Sequence, residues 1–129
     1  MRKEILSLDF DGVCHQYTTK WSGATVISDH HVEGLFEFLE EAQKYFDVQI
    51  YSTRNESPEA AQAMMAWFVK EHELWQAATG KPPIPLELGF PTSKPKAFVG
   101  LDDRIITFEG TWPDIEVLRN FKPWNKRDK

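Results

Sequence analysis

Ile5 to Phe10 is a short, mostly apolar run that stops at Asp11-Gly12. Such a run reads as a strand buried on both faces. Similar runs recur downstream: Val48 to Tyr51, Leu86 to Phe90, Ala97 to Leu101 and Ile105 to Phe108. Between them lie helical patterns. Val32, Leu35, Phe36, Leu39, Ala42 and Phe46 share one stripe, with Ser28 or Asp29 as cap, and Glu33, Glu37, Glu40, Glu41 and Lys44 off it. Ser57-Pro58-Glu59 opens a second helix with a capping hydroxyl, a proline in the first turn and an acid. Its stripe is Ala61, Met64, Met65, Phe68, His72 and Trp75, and Asp114 to Phe121 forms a last helix. Strands alternating with helices imply right-handed crossovers, so the expected fold is α/β. It is a Rossmann-like parallel sheet of about five strands with helices on both faces.

The chain has 129 residues, which suits one domain over 1–129. A chain of this size buries roughly two thirds of its unfolded surface and needs no staple. One cysteine excludes an internal disulfide and any multi-cysteine zinc site. Cys14 reads as a small buried filler. No apolar run reaches the roughly 18 residues of a membrane helix. Glu4, Asp9 and Asp11 interrupt the N-terminal apolar stretch, so a signal peptide is not expected and a cytoplasmic location is. A net charge of −5 does not favour nucleic acid as partner. The end, Arg119 to Lys129, reads as solvated. Val13 to Ser28, with Tyr17, Trp21 and a Ser22-Gly23 turn, reads as a small flap, and no segment has room for a separate cap domain.

In open parallel sheets ligands bind beyond the carboxyl ends of the strands. Asp9 and Asp11 stand at the first such end, Ser52 at the second, and Asp102 and Asp103 at the fourth. Lys94 and Lys96 precede the fourth strand. Carboxylates gathered on one sheet edge repel one another unless protonated or bridged by a cation. An oxygen-only set suits Mg²⁺ better than Zn²⁺. A bound Mg²⁺ with open positions suits a phosphorylated substrate, and one carboxylate remains to attack phosphorus.

These residues also carry a family resemblance. LDFDGV at 8–13 resembles the first motif of the haloacid dehalogenase (HAD) superfamily, and VQIYS at 48–52 its second. Lys94, with Lys96 as competitor, fits the third, and FVGLDD at 98–103 the fourth. The four stand in family order and span most of the chain. The resemblance implies a Mg²⁺-dependent phosphatase working through an aspartyl-phosphate. By it, Asp9 is the nucleophile, and Asp11 protonates the leaving oxygen and then activates water. Ser52, or its neighbour Thr53, binds the phosphoryl group, and Lys94 stabilises it. Asp9, the Asp11 carbonyl, Asp102 and Asp103 form the metal set. Competing expectations are a catalytically silent phosphate- or partner-binding module and a nucleic-acid-end phosphatase. With no cap domain, recognition falls to the flap residues His15, Tyr17 and Trp21 with Arg54 and Asn55, and a homo-oligomer is one way to cover the site.

Overall fold

In a computed structural model, which describes residues 2–19 and 21–126, three of the five expected strands form. They are β1 (Glu4–Leu8), β2 (Phe46–Ile50) and β3 (Val99–Leu101). All pairs are parallel and the order is β2-β1-β3, so the protein is a mixed α/β structure around a small open parallel sheet. Among the described residues three α-helices accompany them: α1 (Leu35–Tyr45), α2 (Pro58–Thr79) and the short α3 (Ile115–Arg119).

Two expected strands are absent. Leu86 to Phe90 makes one bridge to the edge of β2, through Gly89 opposite Gln49. Gly89 N–H donates to the Val48 carbonyl at 3.0 Å, and its own carbonyl accepts from Ile50 N–H at 2.7 Å. Pro85 and Pro91 bracket the segment, and proline neither donates to a ladder nor lets its predecessor choose freely, so pairing stops after one residue. Ile105 to Phe108 forms no strand, and its large side chains are exposed.

Among the described residues, helices do not cover both faces of the sheet either. The register pairs Leu6 with Val48 and Leu8 with Ile50, so these four share one face. They are buried together with Phe36 and Leu39 of α1 and Met64 and Phe68 of α2. The two long helices also touch each other, with the Phe36 and Trp75 rings 5.6 Å apart. On the opposite face Ile5, Ser7 and Gln49 are half-buried, and α3 buries none of its residues. β1 is therefore covered on one side, not two. Ser7 and Gln49 are the sequence's own mark of that wetter face.

The ends of the helices follow from local chemistry. Ser57 Oγ accepts from Ala60 N–H at 3.2 Å, Pro58 occupies the first turn, and Gly80 closes α2 in the left-handed region. α1 starts later than expected. Its cap is Gly34, and Ser28 and Asp29 do not cap it. Met65, expected in the core, is 44% exposed.

Candidate active site

The strand order reverses about β1, which opens a crevice between the carboxyl ends of β1 and β3. Asp9 N–H donates to the Leu101 carbonyl at 3.0 Å, tying the two ends together. Asp9, Asp102 and Asp103 each bring a carboxylate oxygen within 4.8 Å of the others. Gly12 makes this approach possible. Its φ is +86°, and a Cβ there would overlap the Asp103 carboxylate.

Burial, then the neighbouring Asp102, push the Asp9 carboxyl up to about 8, and Asp103 adds to the shift. A bond from Phe10 N–H at 2.9 Å opposes the shift without cancelling it. Asp103 Oδ1 is buried without a partner. A set of three close carboxylates, one strongly reluctant to ionise and one with an orphaned buried oxygen, fits a hard divalent cation.

Asp11 lies beside this cluster with its side chain committed elsewhere. Arg54 grips it with both arms, Nε to Oδ2 at 3.0 Å and Nη2 to Oδ1 at 3.1 Å. His15 Nδ1 meets Oδ1 at 2.9 Å. Asp29 N–H donates to His15 Nε2 at 3.0 Å, which leaves the ring proton on Nδ1, facing Asp11. Burial raises the Asp11 carboxyl, but the bonds from His15 and Arg54 outweigh it and the net direction is down. Asp11 is thus held ionised, the state of a proton acceptor. The resemblance assigns its main-chain carbonyl, not this side chain, to the metal.

Arg54 is 1% exposed and does more than pair. Its Nη1 donates to the carbonyls of Gly23, Ala24 and Val26 at 3.3, 2.6 and 3.2 Å. Its guanidinium lies under the Trp21 ring, 4.6 Å from the centroid. The loop after β1 is anchored from the other end of the chain as well. Trp124 Nε1 donates to the Gly12 carbonyl at 2.7 Å, and Asn125 Nδ2 to the Gln16 carbonyl at 2.9 Å. The expected solvated end is in this part docked. Arg127, Asp128 and Lys129 lie outside the described residues.

A cavity of about 380 Å³ opens here, walled by Asp9, Asp11, Ser52 and Asp103 with Tyr17, Trp21, Thr53 and Arg104. Ser52 is buried, and its Oγ accepts from Arg54 N–H at 3.2 Å. Thr53 reaches the cavity beside it. Lys94 does not: it is exposed on the 91–98 connection and, like Lys96, forms no ion pair with a described residue. Arg104 is the exposed cation on the wall, and sequence reasoning passed over it although it adjoins Asp102-Asp103. Cys14 is fully buried, and burial pushes its thiol further up, so it is inert.

Compared with family models, curated proteins and solved structures, the chain matches none. Among the described residues no helix is long and apolar enough to cross a membrane.

Proposed function

We propose that the chain is a Mg²⁺-dependent phosphomonoester hydrolase of HAD type, on a reduced Rossmann-like sheet, with Asp9 as nucleophile. The observation that carries this reading is the convergence of Asp9, Asp102 and Asp103 at the crevice of a parallel sheet. Asp9, the Asp11 carbonyl, Asp102 and Asp103 would hold the cation. When bound, it supplies positive charge that keeps the carboxylates ionised and offsets the charge of a phosphate.

The chain's own residues then divide the work. An Asp9 oxygen forms a bond to phosphorus as the bond to the leaving oxygen breaks, giving an aspartyl-phosphate. The Ser52 hydroxyl orients the phosphoryl oxygens, and Arg104 takes the charge-stabilising part expected of Lys94. In the second half, water attacks phosphorus, Asp11 accepts its proton, and phosphate departs to leave Asp9 free. Because the clamp holds Asp11 ionised, the first half favours leaving oxygens that depart without a proton.

The position of Lys94 favours a second reading, a silent module that binds phosphate without turnover. One experiment separates the two: release of inorganic phosphate from a panel of phosphomonoesters, with Mg²⁺ and with a chelator. Mg²⁺-dependent release that Asp9→Asn abolishes supports the hydrolase. Phosphate binding without release by the wild-type chain supports the silent module.

A further inference from the structure

We propose that the segment 123–126 is a strap that sets the loop after β1 from outside, with Trp124 positioning the metal ligands through Gly12 and Asn125 positioning the cavity wall through Tyr17. This rests on the phosphatase reading above and adds two positioning residues to its site.

The loop has to be placed accurately, and its own sequence works against that. Position 12 takes only glycine, because a Cβ there would overlap the Asp103 carboxylate. Glycine also has the most backbone freedom of any residue, so Gly12 does not hold its own place. It is held at both ends instead. Its N–H donates to the His15 carbonyl at 2.8 Å, inside the loop. Its carbonyl accepts from Trp124 Nε1 at 2.7 Å, across 112 positions of sequence. The peptide that carries the Asp11 carbonyl joins Asp11 to this glycine, and the Asp103 carboxylate packs against its Cα. A displaced Gly12 therefore disturbs two of the groups assigned to the cation.

Tyr17 presents the converse case. Among the described residues it is the one non-glycine with a left-handed backbone, at φ +57°. That conformation costs free energy and persists where the surroundings over-determine it. Asn125 supplies the hold. Its Nδ2 donates to the Gln16 carbonyl at 2.9 Å and to the Tyr17 carbonyl at 3.4 Å, the two carbonyls on either side of the Tyr17 Cα. The Tyr17 side chain walls the cavity. Asn125 is 6% exposed, and its own Oδ1 is buried without a partner among the described residues. An amide kept at that cost is accounted for by the two carbonyls it fixes.

A single turn presents both side chains. Lys126 N–H donates to the Pro123 carbonyl at 2.9 Å, which winds Trp124–Lys126 into a 3₁₀ turn. Pro123 is buried and its ring fixes its own φ, so the turn meets the loop with little freedom left to lose. The two contacts are separable: Trp124 reaches the metal side of the loop and Asn125 the substrate side.

The test is calorimetric titration of Mg²⁺ into the wild-type chain, Trp124→Phe and Asn125→Ala, with kcat and KM for p-nitrophenyl phosphate and amide exchange over residues 12–17. Trp124→Phe keeps a ring and removes the donor. It should weaken Mg²⁺ binding about ten-fold and speed exchange at Gly12 and His15. Asn125→Ala should keep the wild-type Mg²⁺ affinity and raise KM about five-fold with kcat little changed. A merely structural role would move both constants together in both variants. Mg²⁺ affinity unchanged in Trp124→Phe, KM unchanged in Asn125→Ala, or the same losses in both variants overturns the strap and leaves the phosphatase reading standing. A wild-type chain that binds Mg²⁺ but releases no phosphate overturns the hydrolase, and weaker Mg²⁺ binding by Trp124→Phe then still supports the strap. A wild-type chain that binds no Mg²⁺ overturns both.

Discussion

Asp11 and Asp9 stand two residues apart and are tuned in opposite directions. The Asp9 carboxyl is raised from 3.8 to about 8, so without a cation the folded chain holds a proton that the unfolded chain has lost. Its contribution to stability is present below about 3.8 and is lost as pH rises toward 8. The metal-free protein should therefore melt at a lower temperature at pH 8 than at pH 5. Mg²⁺ should restore more at the higher pH, and Asp9→Asn should flatten the slope while abolishing turnover; scanning calorimetry checks each. Arg54→Ala would leave Asp11 without its fork and three loop carbonyls without a donor. We expect a loss of about 3 kcal/mol in urea unfolding, and Arg54→Lys should recover little because a lysine cannot grip both oxygens. Arg104→Ala should lower kcat/KM about ten-fold or more, and Lys94→Ala much less. The reverse order would mean that the 91–98 connection carries Lys94 into the site during turnover. The acids were readable in the sequence because Asp-x-Asp-Gly and Asp-Asp each end an apolar run. The Arg54 clamp was not, since its partner lies 43 residues away and only the fold brings the two together.

Elements with strong local signals kept their predicted places. Ser57-Pro58 at one end and Gly80 at the other define α2, and Ser57→Ala should cost about 1 kcal/mol by removing the bond to Ala60 N–H. The β1 and β2 runs appear within two residues of expectation, shifted toward the N-terminus. What the sequence could not convey was pairing. A strand needs a neighbour, and the prolines around Leu86 to Phe90 and the absence of any ladder beside Ile105 to Phe108 left two apolar runs without one. Nor did the sequence announce that His30 and His31, just before α1, both turn to Glu71 of α2. His30 Nδ1 lies 3.0 Å from Oε2 and His31 Nδ1 2.8 Å from Oε1, with His31 N–H adding a bond at 2.9 Å. Burial raises the Glu71 carboxyl, but the bonds from His31 and His30 bring it below its ordinary 4.5. A depressed carboxyl stabilises above its unfolded value and stops doing so as pH falls through the folded one. The junction between α2 and the loop before α1 should therefore loosen below about pH 4.5, and Glu71→Gln should remove that part of the acid transition in a fluorescence titration.

At the scale of the whole molecule, one side is closed and the other is not. β3 has β1 along one edge and nothing described along the other, and its three residues are all exposed. Phe98 just before it and the chain beyond it keep large apolar groups in solvent: Phe98 at 68%, Phe108 at 55% and Trp112 at 83%, with Ile105, Ile115 and Val117 also more than half exposed. Phe108 and Trp112 lie together, their ring centroids 4.8 Å apart. A free, apolar strand edge without a charge or a proline in it invites a second copy. We expect a dimer in sedimentation velocity, returned to monomer by Trp112→Glu or by Val99→Lys, with circular dichroism unchanged. A wild-type chain that stays monomeric as its concentration rises would refute this. The consequence reaches the site, because Asp102, Asp103 and Arg104 follow directly from that edge. A copy seated along β3 adds a wall to an otherwise open cavity, so kcat/KM on small phosphomonoesters should rise with protein concentration and should not do so in Val99→Lys.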